Sequence, residues 1–211
     1  MLFGIDVSHF RGDIDWAKVE KNNTAFAYIK VSGGLTVTDN KAGENWQGAT
    51  ANDIRRGGYH VFIPGDDGTA QAQHFIDSLD VANIDYHGGL PPVLDIEQIP
   101  QDQLSAARPE ISNWLTHVQK HLHCKPIIYT SPGTWDGEFP DEFTTYSLWL
   151  ALYEGRGKQG QKPSELPKGW DNWVFWQFLD TGEVRGIEGP VDENYFNGTK
   201  TDLFLTTCIG W

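Results

Sequence analysis

The sequence predicts an α/β fold, an irregular TIM-like barrel of about five β/α units closed by additional C-terminal strands. Three observations lead there. Short apolar runs alternate with helical patterns through the first two-thirds of the chain, which argues for parallel strands with helices outside. Those strands are apolar almost continuously, as parallel strands buried on both faces are. The last third carries strand-like runs with little helix between them. At 211 residues the chain is shorter than the ~250 typical of a full eight-fold barrel. No linker, repeat or low-complexity tract divides it, so residues 1–211 read as one domain.

The elements follow in order. "LFGIDVS" (2–8) is a first strand, and "DIDWAKVEKN" after it places Trp16 and Val19 on a helical face. "AFAYIKVS" (25–32) is a second strand, a polar helix spans roughly 40–56, and "GGYHVFIP" (57–64) is a third strand. "TAQAQHFIDSL" sets Ala72, Phe75, Ile76 and Leu79 at helical spacing. "LPPVLDIE" is a fourth strand. The segment 102–122 repeats Leu104, Ala107, Ile111, Leu115, Val118 and Leu122 in steps of three and four, the clearest amphipathic helix, with Pro109 expected to start or kink its main part. "KPIIYTS" (125–131) is a fifth strand. The late strands are 146–153, 172–180, 188–196 and 202–208, and the Gly- and Lys-rich stretch 154–169 reads as a surface loop.

Composition excludes several functions. The net charge is −13 and no basic run occurs, which disfavours nucleic acid as a partner. The same charge gives no attraction to anionic membranes, and no apolar run reaches membrane-spanning length. The N-terminus "MLFGIDVSHF" shows no signal peptide, so export by lysis, by a dedicated secretion system or by a leader outside this sequence is expected. Cys124 and Cys208 form no CxxC pair and read as two buried free thiols, with a long-range disulfide as the alternative. His117 and His121 share a helix face, but HExxH is absent and no metal or other cofactor is expected. A monomer is expected.

The chemistry lies in the acids. Ligands of parallel α/β barrels bind at the carboxyl ends of the strands. Asp6 nears the end of the first strand, Asp95 and Glu97 end the fourth, and Asp192 sits in the late run "GPVDENYF". Side chains two apart on a strand share a face, about 6.5–7 Å apart at Cα. Asp95 and Glu97 should therefore point into one cleft while Ile96 points outward to the helices. Two carboxylates held that close cannot both ionise easily. A protonated acid beside an ionised one is what glycosidic cleavage requires. Tyr59, Phe62, Tyr129, Trp149, Tyr153 and Trp176 lie near strand ends and offer faces for sugar stacking, although most of the nine Trp are expected to fill the core.

The runs "GIDVSHFRGDIDWAKV", "FAYIKVSGG", "GGYHVF", "PPVLDIE", "PIIYTS", "LWLALY", "WVFWQF" and "VDENYF" occur in the order seen in glycoside hydrolase family 25, the Chalaropsis-type lysozymes or N-acetylmuramidases. The resemblance covers residues 4 to about 198. It implies a flattened barrel, a single catalytic domain and cleavage of the β-1,4 bond between N-acetylmuramic acid and N-acetylglucosamine, with bacterial peptidoglycan as partner. It implies Glu97 as proton donor and Asp95 as its ionised neighbour, stabilising the transition state or positioning the substrate acetamido group. It implies that Asp6 and Asp192 tune that pair, and that Tyr59, Tyr129, Tyr153 and Gln177 line the groove. Retention of configuration through the acetamido group is expected, as is action at the cell wall.

The chain also departs from the family. Many members end the second strand in Thr-Glu-Gly after Lys-Ala. Here the run is "IKVSGG", with Gly33 or Gly34 near the place of the Glu. In "YHVFIPG", Val61 and Ile63 stand where an aromatic residue or Arg often occurs. Two alternatives stay open: a glycan-binding domain without turnover, and a hydrolase of chitin-like polymers.

Overall fold

The computed structural model describes residues 1–135, 137–158 and 160–208. Its strands are β1 (Leu2–Val7), β2 (Phe26–Gly33), β3 (Val37–Thr38), β4 (Arg55–Val61), β5 (Val93–Asp95), β6 (Ile127–Thr130), β7 (Ser147–Ala151), β8 (Phe175–Gly182) and β9 (Val191–Phe196). The helices are α1 (Trp16–Glu20), α2 (Ala42–Ala51), α3 (Gly68–Val81), α4 (Leu104–Leu122), α5 (Asp141–Thr144) and α6 (Lys200–Leu205).

Eight strands close into a barrel in the order β1-β9-β8-β7-β6-β5-β4-β2, and β2 returns to β1. From β1 round through β2 and β4 to β8 every pairing is parallel. Only β9 runs against its neighbours, β8 and β1. The two-residue β3 hairpins onto the end of β2. The five predicted β/α units and the late closing strands are therefore present.

Period-two alternation divides the apolar residues into two layers. On β2, Phe26 and Tyr28 point into the barrel, while Ala27, Ile29 and Val31 pack outward against the helices. The interior is filled by rings: Tyr28 stacks on Trp149 at 4.6 Å, and Phe175 meets Tyr28 at 5.2 Å and Phe196 at 5.1 Å. Those rings need bare backbone opposite. A Cβ on Gly4 would lie 2.4 Å from the Phe26 ring, and one on Gly57 2.3 Å from that of Tyr28. A floor of packed aromatics closes the barrel, so a ligand can enter only at its mouth.

Three expectations need correction. The run 202–208 is not a strand: Lys200–Leu205 is α6, because Thr199 and Asp202 form a reciprocal capping box that starts a helix ahead of the apolar residues. Pro109 lies inside α4 instead of starting it, since a short 3-10 turn over Gln101–Gln103 leads directly into Leu104. Cys124 and Cys208 are joined in a disulfide, not free. The chain turns back after α4 at His123, which is left-handed, and α6 returns the C-terminal segment to that point. There Cys208 bonds the backbone of Gly88 and Gly89.

Candidate active site

The barrel mouth holds a cavity of 210 Å³. All eight residues singled out from the sequence line it: Asp6, Tyr59, Asp95, Glu97, Tyr129, Tyr153, Gln177 and Asp192. They come from seven strands and the segments that follow them, brought together because each lies towards the mouth of the barrel. Of the other aromatics considered, Trp149 lines the cavity. Phe62 and Trp176 do not; both are buried in the layer between barrel and helices. Eight of the nine Trp are buried core residues, and the ninth, Trp211, lies outside the described residues.

Asp6 is the most firmly held acid. Its Oδ2 accepts from Gln177 Nε2 at 2.9 Å and from Asn194 Nδ2 at 2.7 Å. Those amides are themselves fixed. Gln177 Oε1 accepts from the Tyr129 and Tyr153 hydroxyls at 2.7 and 3.0 Å, and Asn194 Oδ1 accepts from Trp149 Nε1 at 2.8 Å. Burial raises the Asp6 carboxyl, the two amides pull it back, and the balance leaves it at about 6. Asp192 stands opposite Asp6 in the antiparallel β1–β9 register. Burial, then the charge of Asp6, pushes it up to about 8. Glu193, between Asp192 and Asn194, points away and pairs with Arg156.

Asp95 and Glu97 differ sharply in environment. Asp95 ends β5, is 7 % exposed, and its Oδ1 is buried without a hydrogen bond. Burial, then the charges of Glu97 and Asp6, hold its carboxyl well above the usual range, and Lys30 offsets this only in part. Glu97 lies past the strand end and is exposed. Its backbone carbonyl accepts from Thr134 Oγ1 at 2.9 Å. Ile96 between them is 1 % exposed in the outer layer, as the alternation requires. Burial thus selects Asp95 as the carboxyl that is hard to ionise, whereas the sequence reading gives that neighbour as the ionised one. The cause is the strand end itself, which encloses Asp95 and releases Glu97 to solvent.

Glu97, Tyr129 and Tyr153 also line a second cavity, of 510 Å³, walled by Ser131–Thr134 on one side and Leu152 and Glu165 on the other. Glu97 therefore stands where two compartments of one groove meet. Burial pushes the Tyr59 and Tyr129 phenols well up, so both remain neutral.

Five cavity residues were not picked out from the sequence: Val7, Ser8, Phe10, Arg11 and Lys30. Lys30 carries a signal, a lone cation within the apolar run "AFAYIKVS". Asn194 carries another, since it lies two residues from Asp192 on the same face. Arg11 reaches from the β1–α1 segment to donate through Nη1 to the Pro190 carbonyl, bridging two sides of the rim. Among the described residues no group of three His, Cys, Asp or Glu could hold a metal ion. His117 instead bonds Gln73 on α3 at 3.1 Å.

The family model described as Glycosyl hydrolases family 25 matches residues 5–187. Lysozyme M1 of Streptomyces globisporus is 32% identical over 210 residues, covering 95% of this chain and 69% of that one. An Escherichia coli K12 protein, YegX, uncharacterized by its own description, is 35% identical over 207 residues, 96% of this chain and 72% of that one. Among solved structures, the bacterial lysozyme from Streptomyces coelicolor superimposes with a TM-score of 0.83 at 31% identity, covering 98% of this chain and 96% of the other.

Proposed function

The chain belongs to glycosyl hydrolases family 25 and is a glycoside hydrolase, and we propose that it is a muramidase cleaving the β-1,4 bond between N-acetylmuramic acid and N-acetylglucosamine in peptidoglycan. The single observation carrying this reading is the mouth of the barrel. A buried carboxyl with an orphan acceptor, Asp95 Oδ1, lies beside an exposed one, Glu97, at the junction of two sugar-sized compartments.

Each role follows from its place. A glycosidic oxygen between sugars in the two compartments lies at Glu97, which protonates it as the bond to the anomeric carbon breaks. A buried acceptor without a partner gains most from an arriving donor. Asp95 Oδ1 accepts the substrate's acetamido N–H; that donor favours the ionised form that burial alone opposes, turns the acetamido oxygen toward the anomeric carbon, and lets the carboxylate stabilise the positive charge that develops there. That oxygen attacks as the leaving group departs with the proton. Water, deprotonated by Glu97, then opens the cyclic intermediate, and configuration is retained. Asp6, fixed by Gln177 and Asn194, and Asp192 beside it set the potential around the pair. Tyr59, Tyr129 and Tyr153 wall the sugar seat. The fold acts as one catalytic domain, as a monomer, on the cell wall.

Purified protein incubated with peptidoglycan should release fragments with new reducing muramic acid ends. Glu97→Gln, which keeps shape and removes the proton, should lower that rate by at least about 100-fold. Equal release by wild type and variant would refute the assignment. Comparable initial rates on chitin oligomers would shift it to N-acetylhexosamine polymers in general.

A further inference from the structure

Two cations line the acidic cavity, Arg11 and Lys30. Arg11 is engaged with the Pro190 carbonyl. Lys30 is different. It projects inward from β2, partly buried, with Tyr59 of β4 as its register partner. Among the described residues no hydrogen bond holds its ammonium, and no carboxylate lies within 4 Å of it. A half-buried ammonium without a partner has lost water contacts that nothing in the protein replaces.

The reason lies three residues on. Gly33 faces the mouth beside Lys30. A Cβ built on it would lie 3.3 Å from Val61 Cβ and 4.0 Å from Lys30 Cε. An acidic side chain there would reach the ammonium, as the Glu near this position would in the family pattern. With glycine at 33 and valine at 61, no carboxylate among the described residues lies within 4 Å of the ammonium, and Asp95 acts on it only at longer range. The open charge faces the sugar seat.

We propose that Lys30 is the receptor for a carboxylate on the sugar bound in this cavity, the free lactyl carboxylate of muramic acid. This rests on the muramidase reading and adds a substrate class to it. In peptide-bearing strands that carboxyl is tied up as a neutral amide and cannot form the ion pair. The enzyme therefore acts best on strands whose stem peptides have been removed. The reaction that supplies its substrate is an amide hydrolysis, in which water cleaves the lactyl–peptide bond and frees the carboxylate and the peptide's amine.

The test compares kcat/KM on two peptidoglycan preparations, glycan strands stripped of stem peptides and strands that keep them. A charge-assisted hydrogen bond is worth about 10- to 100-fold. Wild type should favour stripped strands by at least about tenfold. Lys30→Gln should bring the ratio close to one, and Lys30→Arg should keep more of it than Gln. Gly33→Glu, with Val61→Ala to make room, should collapse the ratio by supplying an internal anion, and it keeps the test independent of the fate of Lys30→Gln. A wild-type ratio near one, or an unchanged ratio in Lys30→Gln, overturns the proposal and leaves the muramidase reading standing. Preference for peptide-bearing strands overturns it in favour of a carboxylate on the stem. Cleavage of neither preparation overturns both.

Discussion

Asp6 shows how single residues set this site. Its carboxyl is buried 7 % exposed among like charges, and two amide donors on one oxygen keep it within reach of ionisation near pH 6. Asn194 is the less replaceable donor, being fully buried and locked by Trp149. Asn194→Asp preserves shape but removes the donor and adds a charge beside Asp6. The Asp6 carboxyl then rises, so a higher pH is needed to ionise it. The acid limb of the pH–rate profile should move to higher pH, and kcat/KM near pH 6 should fall about 10- to 100-fold. An unchanged acid limb would show that Asp6 need not be ionised. Asp6, Asp95, Glu97 and Asp192 were legible in the sequence because the acids interrupt apolar runs near strand ends, where α/β barrels bind their ligands. Asn194 was legible only in part: its face follows from its place two residues after Asp192, but its contact with Asp6, 188 residues away, does not. The split between Asp95 and Glu97 was not legible either, since it depends on where β5 stops.

Elements were read best where period and packing agree. The strands of the parallel arc carry β-branched and aromatic runs that both sequence and tertiary burial favour, and α4 carries an unbroken apolar stripe. The errors fell where a local device outranked the apolar pattern. In α6 the Thr199–Asp202 box turns "DLFL" helical and buries only Leu203. The Cys124–Cys208 bond was invisible because nothing local in an 84-residue separation says that its ends meet. Both cysteines lie at the foot of the barrel, by the N-terminal ends of β5 and β6, opposite the acids. Closing a loop of that length stabilises by on the order of 4–5 kcal/mol. Replacing both cysteines by serine should lower Tm by roughly 10 °C while leaving kcat/KM at 25 °C within about twofold. A matching loss of activity at 25 °C would mean that the bond shapes the mouth. Such a bond persists in oxidising surroundings, which suits an enzyme working at the wall.

At the scale of the whole molecule, its buried ionisable groups act on stability in opposite directions. Asp6 and Asp192 titrate at about 6 and about 8 in the folded chain against 3.8 ordinarily, and Asp95 is held higher than its ordinary value as well. In that range the folded state holds protons that the unfolded chain has released, so stability falls as pH rises towards 8. His60 works the other way. It is fully buried, bonded at Nδ1 to Ser32 Oγ at 2.8 Å and at Nε2 to Gln71 Oε1 at 3.3 Å. That oxygen also accepts from Ile63 N, so His60 donates to it from Nε2 and accepts from Ser32. Burial holds the ring at about 3 against 6.5 ordinarily. Below pH 6.5 the unfolded chain takes up a proton at His60 that the folded chain refuses, so the contribution of this one group falls towards pH 4. Exposed acids paired with cations, Asp13 with Lys41 and Glu142 with Arg108, lose their contribution only below about pH 4. Between pH 4 and pH 6.5 the three raised acids outweigh the one histidine, so Tm should be highest near pH 4–5 and fall by roughly 10 °C towards pH 8. Asp192→Asn should make that fall shallower across the whole range, because it removes one of the protons that the folded chain holds between pH 4 and pH 8. A Tm that rises steadily from pH 4.5 to pH 8 would mean that the acids at the mouth are not strained by folding, and the electrostatic account of the site would fail with it.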